Sequence, residues 1–392
     1  MLAGSAAAQG LYYVGDEAQE SIPLKWAVGT SVIYDDNVAA GFGPKESSFA
    51  VNPYVGLSFV TITPQTTLDV YVRLGLIYYF DAPVGTDDVS PQSRAGFDLT
   101  HRFNERLRFS SRNFIAYELE PDYSYGYASS RQSQSYFYWQ TDNSLGYRWT
   151  ERLATYTGFS LTGANYDTVN NDRLTLQLYN QFRYQLSPQS VATFDYRYGQ
   201  TIGDGQSSDT TDHYILVGLE QRFSPNTIGI VRAGVQLHEL DGGSSQTSPY
   251  LELALNSQVN EQFRLRAFTR YGIENYDTVR ADPTLGLPVE FSDHSTLRIG
   301  VSAEYAFTPV FSLFGGVDYI PSDFSDGQLT SGVVGPVGDY SEDILNTYIG
   351  LSMKFNDFLS GTISYNYTHQ ESDFAGQTYN RNRISVGLSA EF

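Results

Sequence analysis

Ser385-Val386-Gly387-Leu388-Ser389-Ala390-Glu391-Phe392 closes the sequence on an alternation of polar and apolar residues. Extended back to Arg383, the stretch sets Ile384, Val386, Leu388, Ala390 and Phe392 on one face. Arg383, Ser385, Gly387, Ser389 and Glu391 fall on the other. Successive side chains of a strand point to opposite faces, so this segment is apolar on one side and wet on the other. A free chain end usually frays into solvent. A last residue that is aromatic and in register with an apolar face suggests instead the closing strand of a transmembrane barrel, if the rest of the chain repeats the pattern.

It does. Leu68, Val70, Val72, Leu74 and Leu76 alternate with Asp69, Tyr71, Arg73 and Gly75; Leu174, Leu176 and Leu178 alternate with Arg173, Thr175 and Gln177. Leu297, Ile299, Val301, Ala303 and Tyr305 alternate with Arg298, Gly300, Ser302 and Glu304. Period-2 segments of about ten residues recur along the chain, the length a tilted membrane strand requires. One segment breaks the rule, because Ser111 and Asn113 fall on its apolar parity, which either a subunit contact or a different register would explain.

Two kinds of connection alternate between these segments. Eight are short: Thr63-Pro64-Gln65, Asn104-Glu105-Arg106, Thr150-Glu151-Arg152, Ser187-Pro188-Gln189, Ser224-Pro225-Asn226, Asn260-Glu261-Gln262, Thr308-Pro309-Val310 and Asn356-Asp357. Hydroxyl side chains bond the local backbone in such turns, and proline presets the first central position. The others are longer and acidic, among them Asp81–Gln92, Glu118–Gln134, Asp277–Asp293 and Pro321–Asp343. Short turns at one end and long loops at the other distinguish the periplasmic and extracellular sides of an outer-membrane barrel. The expected fold is therefore all-β: a transmembrane antiparallel up-and-down β-barrel of about eighteen strands, with sixteen still allowed, and both termini at the periplasmic end.

Composition agrees. The 392 residues include 31 Tyr, 24 Phe and 35 Gly, with no Cys and two Met. No apolar run approaches the roughly 18 residues of a membrane helix. Without cysteine there is no disulfide, no thiolate nucleophile and no cysteine-based metal site. The net charge of −20 is scattered between strands and makes nucleic acid an unsuitable partner. Met1–Gln9, with Ala6-Ala7-Ala8, reads as the remnant of a signal peptide. Residues 10–23 then form a short periplasmic segment, and 24–392 form one barrel domain beginning at Leu24.

The polar face carries the functional clue. Of 24 basic residues, 21 are arginine, and most fall on the inward parity. The expected pore-lining set is Arg73, Arg102, Arg148, Arg183, Arg232, Arg264, Arg266, Arg270, Arg298 and Arg383, with Glu252 and Glu304. Arg264, Arg266 and Arg270, with Arg232 nearby, form the densest patch. About nine acids share the inward parity, so the interior reads as net basic while the surplus acids lie in loops and turns. A guanidinium fork binds carboxylates and sugar hydroxyls in fixed geometry and stays charged. Two readings stay open: a pathway favouring anions, or arginines bracing the wall against neighbouring acids and tyrosines. The five histidines have no metal-ligand spacing, and Asp212-His213 stands without a nucleophile elbow or phosphate loop. The chain is expected to be neither an enzyme nor a holder of metal or cofactor.

Ser385, Gly387, Ala390 and Phe392 resemble the carboxy-terminal signal read by the outer-membrane assembly machinery. With the turn parity and strand count, the chain from about residue 24 onward resembles Gram-negative outer-membrane β-barrel porins, the "putative β-barrel porin 2" group in particular. The stretch Arg112-Asn113-Phe114 to Tyr147-Arg148-Trp149-Thr150-Glu151-Arg152 is most like them. The resemblance implies a bacterial outer-membrane location among lipid and lipopolysaccharide, and a water-filled channel for passive diffusion of small hydrophilic solutes; the surplus of inward arginine favours anionic ones. A homotrimer is compatible with it, as is a constriction formed by the Glu118–Gln134 loop. Export of exopolysaccharide is the alternative it leaves open; a filled structural or adhesin barrel is a third.

Overall fold

The computed structural model describes every residue except 1–20, 39, 41–44, 82–87, 120–134, 168–171, 204–207, 242–244, 276–277, 282–286, 330–336 and 375–376. Residues 1–9, most of 10–23 and most of the Glu118–Gln134 loop thus lie outside the described residues. The strand segments begin with β1 (Ile22–Asp35), β2 (Ser48–Ile62), β3 (Thr66–Tyr79), β4 (Val89–Pro91), β5 (Ser93–Arg102), β6 (Leu107–Glu118) and β7 (Tyr136–Arg148). They continue with β8 (Leu153–Tyr166), β9 (Arg173–Ser187), β10 (Ser190–Gly203), β11 (Thr210–Ser224), β12 (Thr227–Leu240), β13 (Ser245–Gln258) and β14 (Phe263–Ile273). The last are β15 (Val279–Ala281), β16 (Pro288–Ala306), β17 (Phe311–Leu329), β18 (Tyr340–Lys354), β19 (Leu359–Ser372) and β20 (Tyr379–Glu391).

Each segment pairs antiparallel with its sequence neighbours, except that β4 and β5 share β3 and β14 and β15 share β16. These two split strands reduce twenty segments to eighteen in the wall. β1 and β20 close it from Ala27 opposite Glu391 to Asp35 opposite Arg383. Beyond that ladder, Trp26 and Phe392 exchange both backbone hydrogen bonds at 2.8 and 3.0 Å. Closure leaves no sheet edge exposed, which is what allows strands to cross lipid.

All eight short turns fall where the sequence puts them. In each, the first Ser, Thr or Asn side chain accepts a backbone N–H two or three residues on. Asn104 Oδ1 accepts from Arg106 and Leu107 at 2.8 and 2.9 Å, and Thr308 Oγ1 accepts from Phe311 at 2.9 Å. At the opposite end the strands run further than the sequence suggests. β1 starts at Ile22 rather than Leu24, β4 lies within the expected Asp81–Gln92 loop, and β16 starts inside Asp277–Asp293. β17 takes Pro321–Leu329 out of the expected Pro321–Asp343 loop. Its ladder continues because Pro321 to Phe324 pair with Asp343 to Tyr340, while Asp326 absorbs the irregularity at φ 53°.

The outward face is apolar between two aromatic girdles. Phe103, Trp149, Phe223, Phe307 and Phe355 ring the turn end; Tyr34, Phe49, Tyr78, Phe80, Phe137 and Tyr319 ring the other. Between them Leu74, Leu178, Val217, Val301, Val317, Ile349 and Val386 are exposed. The inward face packs differently. Repeatedly an aromatic ring lies against the wall over a glycine directly across the ladder: Tyr54 over Gly29, Tyr71 over Gly96, Tyr179 over Gly158, Phe268 over Gly300, Tyr348 over Gly316 and Phe314 over Gly350. A Cβ at any of these glycines would collide with the ring. The glycines thus hold large rings flat and keep them from projecting toward the barrel axis.

Candidate functional site: the inner wall

Cross-strand register sets Gly218, Arg232, Glu252, Arg270 and Arg298 in one row across β11, β12, β13, β14 and β16. Gly218 makes the row possible. A Cβ there would stand 2.5 Å from Thr193 Oγ1 and 2.9 Å from Arg232 Cγ, so the Arg232 stem lies across β11 only because the side chain is missing. From that position Arg232 Nη1 donates to Glu252 at 3.2 Å. The same guanidinium lies 3.6 Å from Glu220 and 3.8 Å from Asp195. Arg197 donates to both oxygens of Glu252 at 3.1 Å, and the Tyr250 hydroxyl adds a third donor at 2.9 Å. Arg183, fully buried, donates to Glu220 at 2.6 Å and to Gln181 at 2.8 Å. Gln181 passes the chain on to Asp195 at 2.5 Å.

Three arginines therefore meet three carboxylates. Beside them, Glu274 takes hydrogen bonds from Arg270 (2.7 Å) and Arg298 (2.5 and 3.0 Å). Charge-assisted bonds of this kind fix side-chain direction as well as contributing energy. The network borders a cavity of about 450 Å³. Arg112, Asp142, Tyr179 and Arg197 line it on one side, and Ile228, Ile230 and Phe268 on the other. Tyr179 donates to Asp142 at 3.0 Å and so keeps its ring on the wall.

The expected pore-lining residues separate into layers. Arg183, Arg232 and Glu252 belong to the central network; Arg270 and Arg298 share Glu274. Arg264, Arg266 and Glu304 lie nearer the short turns and are exposed to the interior. Arg264 donates to Gln258 at 3.1 Å, and Arg266 makes no hydrogen bond or ion pair among the described residues. Arg102 is exposed beside a turn, and Arg148 lies 3.8 Å from Glu105. Arg73 stacks over the Tyr54 ring at 3.9 Å. Arg383 stands apart from all of these, 3.4 Å from Asp35 at the closing seam.

The expectation of an interior with a large surplus of arginine over acid needs correction. Asp35, Glu118, Asp212, Glu274 and Glu342 are buried on the inner side, not solvated in loops. Glu118 is bonded by Arg94, Asp35 by Arg381, and Glu342 lies 3.8 Å from Arg280. Asp212 takes Gln236 (2.8 Å), Asn275 (2.5 Å) and His238 (2.9 Å), a buried polar cluster on β11 and β12. Strand parity points to Glu118, which shares the inward face with Arg108 and Arg112. Nothing comparable marks Glu274, which lies just past the end of β14.

The two ends of the interior also differ. Along the upper halves of β16, β17 and β18 the inner face is packed: Phe291, His294, Ile320, Phe324 and Ile344 are fully buried. Phe291, Phe324 and Phe374 meet edge to face at 5.1 to 5.9 Å, and Arg280 lies 5.7 Å from two of the rings. Toward the short turns, Arg264, Arg266, Glu304 and Lys354 face open space.

A closed eighteen-strand wall, apolar outside between aromatic girdles and charged inside, defines an outer-membrane β-barrel. Residues 221–392 match the outer membrane protein beta-barrel domain family. Among solved structures, the chain is similar to OccAB4 of Acinetobacter baumannii at 13% identity, covering 95% of this chain and 99% of that one, with a TM-score of 0.44. It is similar to OpdK of Pseudomonas aeruginosa at 11% identity over 96% and 100% of the two chains, TM-score 0.46. It is also similar to OccK2 (OpdF) of P. aeruginosa, solved in complex with glucuronate, at 10% identity over 96% and 99%, TM-score 0.47. No curated protein matches the chain significantly.

Proposed function

We propose that this barrel is a porin: a water-filled channel through the outer membrane for small hydrophilic solutes, with a preference for anions. An eighteen-strand wall is wide enough to leave a channel between side chains that do not fill it. The observation that carries the reading is the division of arginines on the inner wall. Those of the central network are neutralised by carboxylates, whereas among the described residues Arg266 and its neighbour Arg264 face the open half with no acid in ion-pair contact, Glu304 standing across the ladder from Arg264. Acids held by buried arginines leave little field in the pore, and the unneutralised guanidinium groups then set its sign. Neutral residues such as Gln177, Gln181 and Asn256 line the same surface and suit uncharged polar groups of a solute.

Purified protein in planar bilayers is expected to give stepwise conductance. Under a salt gradient its zero-current potential takes the sign of anion preference. Absence of steps would remove the channel, and cation preference would remove the anion reading. Replacing Gly300 by valine tests the geometry independently: it forces Phe268 off the wall toward the axis and should lower single-channel conductance in a barrel that still migrates as folded on gels.

A further inference from the structure

The outward wall carries one feature that lipid does not explain. On β6 and β7 Ser111 lies opposite Asn143, and Asn113 opposite Thr141, all four on the outward parity near mid-strand. Their side chains form a closed ring. Asn113 Nδ2 donates to Ser111 Oγ (3.0 Å), Ser111 to Asn143 Oδ1, Asn143 Nδ2 to Thr141 Oγ1, and Thr141 to Asn113 Oδ1, the last three at 2.8 Å. Two strands further, outward Asn180 donates to Thr157 at 2.6 Å, while its own buried carbonyl oxygen has no partner. Elsewhere, among the described residues, outward asparagines lie near strand ends beside girdle tyrosines, as Asn380 and Asn382 do with Tyr367 and Tyr365.

An amide offers two donors and two acceptor positions. The ring uses one of each per asparagine, and Asn113 gives its second N–H to the Phe97 carbonyl at 3.4 Å. One N–H of Asn143 and the second acceptor positions of both amides therefore remain on a surface surrounded by exposed Ile115, Leu145, Phe159, Leu178 and Phe182. Unmet polar groups are costly in hydrocarbon, where water cannot satisfy them, and hydroxyl and amide side chains at that depth characteristically bond across protein contacts. The patch has no charge and carries both donors and acceptors, so it is complementary to itself. That is the requirement for a contact in which both partners use the same surface. We infer that the β6–β9 sector is the face by which the barrel associates with a second copy of this chain in the membrane.

The absence of cysteine makes the test direct. Ile115→Cys reports from beside the ring without disturbing it, and Ile349→Cys reports from β18, across the barrel. Under mild oxidation in native outer membranes, Ile115→Cys should give a disulfide-linked species of twice the chain mass, and Ile349→Cys should not. Adding Asn113→Leu and Asn143→Leu to Ile115→Cys should reduce that species about tenfold, the change carried by roughly 1.4 kcal/mol of lost contact. The folded gel band of this variant confirms that the barrel itself survives. No linked species, linkage to a protein of different mass, or equal linkage from both positions would each overturn the inference.

Discussion

Exchanging Glu252 for glutamine will move the zero-current potential further toward anions and raise conductance at low salt. Glu252 is the point at which Arg197, Arg232 and Tyr250 converge, with hydrogen bonds of 2.9 to 3.2 Å. Glutamine keeps the shape and one acceptor but removes the charge, so two guanidinium groups lose their main counter-charge and the pore gains one positive charge. A unit charge at 4 Å is worth about 1 kcal/mol even in bulk water. The anion-to-cation permeability ratio should therefore rise about fivefold, with the effect shrinking as ionic strength rises and the Debye length falls. Arg197→Gln combined with Glu252→Gln restores the net charge and should return the ratio toward its starting value. An unchanged ratio in the single variant would place the network away from the ion path. A double variant whose ratio stays as high as in the single one, although the net charge is restored, would show that wall distortion, not charge, governs permeation.

That result bears on which of the two sequence readings of the arginines holds, because both describe part of the wall. Arg183 cannot meet a solute: its guanidinium is enclosed by Glu220 and Gln181. Arg232 still presents part of its surface while bonding Glu252. Among the described residues, Arg266 meets only the open interior. Arginines that brace the wall and arginines exposed to the interior are thus successive layers, and Gly218 connects them by allowing Arg232 to lie flat.

The architecture was legible because it is written in local chemistry. A Thr-Pro or Asn-Glu pair between two period-2 segments makes its own turn through its own side chain, and eight such pairs bring the strand count to about eighteen without reference to anything distant. The strand tops were less legible for the same reason. Pro321, Asp323, Asp326 and Gly327 carry the marks of a loop, and only pairing with β16 and β18 keeps them in the wall. With the tops read as loops, Glu342 falls in solvent, and the interior reads as more basic than it is. The outward parity of Ser111 and Asn113 was readable from alternation alone. Their ring with Thr141 and Asn143 was not, because it depends on the register between β6 and β7.

Asp35→Ala is expected to lower the temperature at which the barrel loses its folded, fast-migrating band more than any change in the central network. Asp35 is fully buried where β1 meets β20, the one junction whose strands come from opposite ends of the chain. Arg381 Nε donates to both carboxylate oxygens at 3.1 and 3.0 Å, Arg383 approaches to 3.4 Å, and the Asn37 backbone N–H donates at 3.0 Å. Alanine leaves the buried Arg381 charge without its partner, and breaking a buried pair from one side costs about 3–5 kcal/mol. The loss falls on the seam that joins the two ends of the chain, a contact of the largest sequence separation in the wall, so it should also slow refolding into detergent. Replacing both partners by leucine removes the stranded charge, and at similar volume such exchanges are often neutral. Asp35→Leu with Arg381→Leu should therefore recover most of the lost temperature. If Asp35→Ala melts with the unaltered protein, the seam does not depend on the pair. If the double variant melts lower still, lost packing rather than an unpaired arginine is what opens the barrel.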